Sequence, residues 1–413
     1  MTDEFTHHQI ALVWEEFWRA GICDPVVILE HLVYLLFLRR LDQDVAGAQH
    51  GGAQRRLTSA SGPHGHDADS LRWSSLCGLA EREQFAMLNE HIFPRLRGIG
   101  GPGGAYVRHL KGARFSVPTA AALACIIRQI DKLPRRTAPG NADPFDYAVD
   151  KLANMGRWGA TSTPRSIEAL MVALVAPVPG DVICTPVGDC GGLLVAAAQY
   201  LARRFPSALA DPVASEHHHH RMYHAYGADK VILRVACMKL LLQGIKNPDI
   251  RYRNTLAPDV NGDEGRYSII LAHPSTTEST AGQGQAIALM VVQCSRMLKP
   301  GGRAAIIIPQ SILRGHSAAE RDLRRMLLLE RRIDAAIPLS LSSAAPAKLL
   351  LLFTRTDGAT ASNGGGARAG ELAIPPVRAR WQMRRTSSVE QPDRPSRHAT
   401  PGAHRCVPSL GHQ

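Results

Sequence analysis

The stretch "DVICTPVGDCGGLLVAAAQYL", Asp181–Leu201, decides how the rest of the chain is read. It opens as a short apolar strand, breaks at a turn rich in glycine, and continues as a helix from about Gly192. Glycines at such a turn let the backbone come close to a ligand, and the following helix offers free N–H groups. A tight packing turn would need the same glycines, so this unit alone leaves both readings open.

The pattern repeats outward from it. From Phe145 onward, helical pieces alternate with the β-rich runs "RMYHAYGAD", "YSIILAHP", "GRAAIIIP", "IDAAIPL" and "KLLLLFTR". Strands alternating with helices imply a mostly parallel α/β sheet, which binds ligands at the carboxyl ends of its strands. The run "YSIILAHPSTTEST", Tyr267–Thr280, fits such a site: a buried strand that stops in a polar loop with one proline. "YHAYGADKVILRVACMKLLLQGI" ends a strand near Gly227 and Asp229. An acid there either accepts hydrogen bonds from a ribose diol or caps the next helix.

The region before about residue 135 differs. "HQIALVWEEFWRAG" and "DPVVILEHLVYLLFLRRLDQ" read as helices, the second capped by Asp24 with Pro25 in its first turn. "LAEREQFAMLNEHIFPRL" and "PTAAALACIIRQIDKL" continue the helical pattern. Residues 47–70 form a Gly/Ser/His-rich loop, and "PRRTAPGNADP" reads as a linker. After Thr356 the chain is rich in Gly, Pro, Ser and Arg, without periodicity, and reads as disordered.

Composition sets further bounds. At 413 residues, 45% hydrophobic and 20% charged, the chain can bury a large core without disulfides. Its eight cysteines are scattered and form no CxxC pair, as expected of small core residues in a reducing compartment. No apolar run reaches the roughly 18–20 residues needed to span a bilayer, and the N-terminus lacks a secretory pattern; the expected location is the cytoplasm. The net charge of +12 favours an anionic partner such as nucleic acid, although much of the excess is tail arginine. The tract His217–His220 has the composition of a metal site, but four consecutive histidines chelate adventitiously, and no metal is expected.

Taken in order, these pieces resemble one family. "LRWSSL" at Leu71–Leu76, the Thr163-Pro164-Arg165 element, "KPGG" at Lys299–Gly302, "IPQSIL" at Ile308–Leu313 and "FTRTD" at Phe353–Asp357 are similar to the modification (M) subunit of type I restriction-modification systems, an adenine-N6 DNA methyltransferase. The resemblance covers most of the chain apart from the tail. It implies a helical N-terminal domain over 1–135, a Rossmann-like methyltransferase domain over 143–356, and a basic tail over 357–413. It also implies S-adenosyl-L-methionine as cofactor, DNA as substrate, a specificity subunit as partner, and a restriction subunit as a further one.

By position, the resemblance places the cofactor loop at Gly159, Ala160, Thr161, Ser162, Thr163 and Pro164, and the glycine turn at Thr185–Gly192, with Cys190, Gly191 and Gly192 against the cofactor. It assigns the ribose acid to Asp229 and the catalytic loop to His273, Pro274, Ser275 and Thr276. Several of these positions depart from the family. Its Asp-Pro-Ala-Cys-Gly-Ser-Gly-Gly turn is here Thr-Pro-Val-Gly-Asp-Cys-Gly-Gly, which puts Asp189 where the backbone should approach the cofactor. Its ribose Glu is Asp229, and its Gly-Asp-Thr-Leu is Arg253-Asn254-Thr255-Leu256.

The catalytic loop changes most, from Asn-Pro-Pro-aromatic to His-Pro-Ser-Thr. The Asn oxygen and a backbone carbonyl hold the amino group of a flipped adenine, and the aromatic stacks on the base for about 1–3 kcal/mol. A neutral histidine accepts one hydrogen bond with a different reach, and threonine does not stack. The resulting expectation is an adenine methyltransferase with weakened chemistry. The alternative is an inactive relative acting in assembly or DNA binding.

Overall fold

Each central strand carries apolar residues on both faces, so the sheet they form must be covered on both sides. Ile269 and Leu271 face one core, and Ile270 and Ala272 the other. In the computed structural model the described residues are 2–48, 72–98, 104–134, 144–154, 163–187, 190–254, 262–274, 283–329, 331–339 and 347–356. All of them belong to one compact unit, Met1–Pro376; the second unit, Val377–Gln413, contains none. The expected tail, most of the 47–70 loop and the 135–143 linker therefore lie outside the described residues, as do Gly159–Ser162, Gly188–Asp189 and Ser275–Thr276.

The helical part comprises α1 (Thr2–Arg19), α2 (Pro25–Ala48), α3 (Trp73–Cys77), α4 (Glu81–Ala86), α5 (Phe93–Gly98), α6 (Ala105–Leu110), α7 (Ala120–Asp131) and α8 (Pro144–Asn154). A π-helical turn, Met87–Ile92, joins α4 to α5. The caps follow local chemistry. Asp24 accepts from the Val26 N–H at 2.9 Å and Pro25 opens α2, as expected from the sequence. Thr119 caps α7 through the Ala122 N–H.

The remainder is α9 (Arg165–Val175), β1 (Ile183–Thr185), α10 (Gly192–Arg204), α11 (Pro206–Ala210), α12 (Pro212–His220), β2 (Tyr223–Gly227), α13 (Lys230–Leu242), β3 (Asp249–Tyr252), β4 (Tyr267–Ala272), α14 (Gln283–Met297), β5 (Leu298–Pro309), α15 (Ala318–Leu329), β6 (Arg331–Leu339) and β7 (Lys348–Arg355). The strands lie in the order β3-β2-β1-β4-β5-β7-β6. The first five are parallel, while β7 runs antiparallel between β5 and β6. This is the mostly parallel α/β sheet expected from the alternation, and the Rossmann-like class that the resemblance implies.

The helical part packs on the same core as α9, α10 and α13, and α14 and α15 cover the other face. Polar contacts join the helical part to the sheet. Arg234 on α13 bonds Glu30 and Tyr34 of α2, and His109 on α6 contacts the Ile250 carbonyl at 2.8 Å. Among the described residues no helix is long and apolar enough to cross a membrane.

Candidate active site

Strand order fixes where a ligand can sit. From β1 the chain builds outward to β2 and β3, then returns to place β4 on the other side of β1. That reversal leaves a crevice at the carboxyl ends of β1 and β4, the ligand site of open α/β sheets. Thr185 ends β1 and His273 follows β4, so the glycine turn and the expected catalytic loop both meet this crevice.

The turn after β1 shows why its glycines are needed. Gly191 has φ +83°, and a Cβ there would lie 3.0 Å from the Ala236 Cα on α13. A Cβ on Gly192 would fall 1.8 Å from Oε1 of Glu168 on α9. Packing thus demands both glycines, and the same geometry starts α10 at the crevice. Cys190 is buried beside them. Glu168 places a carboxylate at the first turn of α10, where the helix dipole favours negative charge. The sequence reading missed it; its signal was an acid within the apolar run "SIEALMVALV".

Asp229 lies two residues past the end of β2 and precedes α13. Its Oδ1 accepts from the Val231 and Ile232 N–H groups at 2.7 and 3.0 Å and caps α13. Its Oδ2 has no partner among the described residues and stays available to a hydroxyl. The Arg253 N–H donates to the Gly227 carbonyl at 2.8 Å, which brings Arg253 and Asn254 alongside this strand end.

His273 is the centre of the site. Its ring is 7% exposed, Thr163 is 4% exposed, and Lys348 at the start of β7 is 8% exposed. Thr163 Oγ1 lies 2.9 Å from Nδ1, and Lys348 Nζ lies 3.0 Å from Nε2. An ammonium has only donors, so Nε2 accepts from Lys348, and Nδ1 carries the ring proton and donates to Thr163. Burial, reinforced by the Lys348 charge, pushes the His273 pKa down to about 3, so the ring is neutral. Burial also lowers the Lys348 pKa. The fold thus joins the loop expected to hold the cofactor to the expected catalytic loop through residues 163 and 273. Lys348, at the head of "KLLLLFTR", was missed because a lysine flanking an apolar strand reads as its solvated end. Pro274 is buried after His273.

The histidine tract is occupied by structural contacts. His217 contacts the Asp181 carbonyl at 2.8 Å, and His218 contacts the Tyr223 hydroxyl at 3.2 Å.

Comparison with known proteins agrees with this arrangement. Residues 142–360, more than half of the chain, match the N-6 DNA methylase family. The chain belongs to that family. A curated relative, the type II restriction enzyme and methyltransferase RM.BcgI of Heyndrickxia coagulans, is 25% identical over 186 residues. That match spans 44% of this chain and 28% of the relative, so the chain covers under a third of that protein's length. A modification subunit assigned to a type I restriction enzyme of Vibrio vulnificus YJ016 shares the fold with a TM-score of 0.62 at 19% identity, over 85% of this chain and 82% of that one. The type I restriction-modification methyltransferase subunit of Streptococcus thermophilus gives 0.59 at 15% identity, over 85% of each chain.

S-adenosyl-L-methionine is the cofactor of this family, and the residues present fit it. The Gly191 turn opens at the crevice, the α10 N-terminus follows it, and Asp229 keeps one carboxylate oxygen unbonded.

Proposed function

We propose that the protein is a site-specific DNA adenine-N6 methyltransferase of the type I modification-subunit kind. In this reading it acts on DNA in the cytoplasm and takes its sequence specificity from a partner subunit, with a restriction subunit as a further partner. The observation that carries the reading is the placement of Gly191, Asp229 and His273 just after the carboxyl ends of β1, β2 and β4, with Thr163 bonded to His273.

The bound cofactor supplies a methyl group on a sulfonium. The chain's own residues do the rest. Asp229 Oδ2 accepts from the ribose, and Gly191 and Gly192 let the backbone approach the methionine moiety. The target base leaves the duplex stack. His273 Nε2 accepts one hydrogen from its amino group. Lys348, a donor only, makes Nε2 the acceptor, and Thr163 accepts the proton of Nδ1.

One observation favours a second reading, a catalytically silent assembly subunit: the single acceptor of His273 is already bonded to Lys348. The test is calorimetric titration with S-adenosyl-L-methionine, followed by tritiated methyl incorporation into DNA with the cognate specificity subunit. Binding with incorporation abolished by His273→Ala supports the methyltransferase. Binding without incorporation, rescued by the triple change His273→Asn, Ser275→Pro and Thr276→Phe, supports the silent subunit. Absence of cofactor binding overturns the methyltransferase and leaves the silent subunit.

A further inference from the structure

The histidine at the catalytic loop does not act alone. An asparagine amide presents an acceptor and a donor side by side. Here two side chains from distant segments present the same pair, an acceptor at His273 Nε2 and a donor at Lys348 Nζ, 3.0 Å apart. Nζ has three N–H groups, and its one contact among the described residues is this ring nitrogen. It forms no ion pair with a carboxylate there. A buried ammonium left so sparsely bonded is costly unless a further acceptor arrives. A cleft of about 390 Å³, lined by Gln310, Ser311, Arg314, Gly315 and Ala347, lies next to Lys348 along the chain.

We propose that Lys348 is a specificity-determining residue: together with His273 it replaces the family's asparagine and reads the edge of the target base, donating to a ring nitrogen while Nε2 accepts from the exocyclic amino group. This rests on the methyltransferase reading above. Capture is an exchange. The Lys348 N–H leaves Nε2 for the lone pair of adenine N1, and the freed Nε2 takes the N6–H. No hydrogen bond is lost, so the contact seen without a base is the resting form of the recognition pair. Nδ1 keeps the ring proton and donates it to Thr163, which acts as a positioning residue. A base without either the ring lone pair or the amino hydrogen leaves one buried group unpaired and is rejected.

The test uses base analogues and needs no turnover. Fluorescence anisotropy compares single-stranded oligonucleotides identical except at one central residue: adenine, 1-deazaadenine without the N1 lone pair, or purine without the amino group. Differences within the set cancel the shared phosphate contribution. The wild type is expected to bind adenine about tenfold more tightly than either analogue, the factor given by roughly 1.4 kcal/mol. In Lys348→Met the penalty for 1-deazaadenine should vanish while that for purine remains. Lys348→Gln, which keeps a donor, should restore part of it. Unfolding curves establish that both variants fold, and Lys348→Met should be no less stable than wild type because it removes a buried cation. A wild type that senses the amino group but not N1 overturns the role of Lys348 and leaves base capture standing. A wild type that senses neither change overturns base capture and this inference together. Equal loss of both discriminations in folded Lys348→Met would reduce Lys348 to a support of the site and overturn the proposal.

Discussion

Asp229 caps α13 with one oxygen and, in the proposed function, accepts from the ribose with the other, and substitution can separate the two. In Asp229→Ala, the Val231 and Ile232 N–H groups lose an acceptor that now lies at 2.7 and 3.0 Å. Loss of such a cap costs about 1 kcal/mol, and up to about 2. The alanine also loses the oxygen proposed to accept from the ribose; a hydrogen bond to a charged group is worth about 1.5–3 kcal/mol, or roughly ten- to over a hundredfold in affinity. Asp229→Asn keeps a carbonyl oxygen for the cap and turns an NH2 toward the ribose. Its stability should fall by only a few tenths of a kcal/mol, while its affinity for S-adenosyl-L-methionine falls nearly as far as in the alanine variant. Urea unfolding and calorimetric titration on the three proteins measure the two effects separately. If Asp229→Asn binds the cofactor as tightly as wild type, Asp229 is a cap alone and the ribose assignment is wrong. If Asp229→Ala is as stable as wild type, the cap seen at α13 contributes nothing.

Glu30 is the carboxylate partner of Arg234, which is buried between α2 and α13. Glu30→Ala should lower stability by about 3 kcal/mol, since one charge is left buried and unpaired; urea unfolding measures this, and a loss under about 1 kcal/mol would contradict the pairing. Stability should also depend on pH through buried neutral histidines. Burial pushes His31 and His218 down to about 4 and His273 to about 3, from an ordinary value near 6.5. Their folded pKa values lie below the unfolded one, so as pH falls through about 6.5 the unfolded chain takes up protons first. The stability they contribute is full above that pH and is lost progressively toward pH 3–4, at up to about 1.4 kcal/mol per pH unit for each histidine. Unfolding free energies equal at pH 7 and pH 5 would refute the neutral burial of these rings.

Much of the fold was legible because apolar runs bounded by turns leave few alternatives. The runs ending at Thr185, Gly227, Ala272, Pro309, Leu339 and Arg355 all became strands. The strand Asp249–Tyr252 was not seen: at the sheet edge, with Arg251 and Tyr252 exposed, it carries no apolar run. The antiparallel course of β7 was equally hidden, since strand direction comes from connections and not from composition. At the site, Asp229 and the two glycines could be read from their place at strand ends. Glu168 and Lys348 could not, because each acts across a long sequence separation, on Gly192 and on His273.

The identity of the methylated nucleoside tests the account most directly. DNA incubated with the protein, S-adenosyl-L-methionine and a specificity subunit can be digested to nucleosides and separated by mass spectrometry. The expected result is N6-methyladenosine as the 2′-deoxynucleoside, formed by wild type and lost in Asp229→Ala and His273→Ala. A methylated cytosine in its place, or N6-methyladenine formed equally by His273→Ala, would contradict the claim that the crevice between β1 and β4 captures adenine through His273.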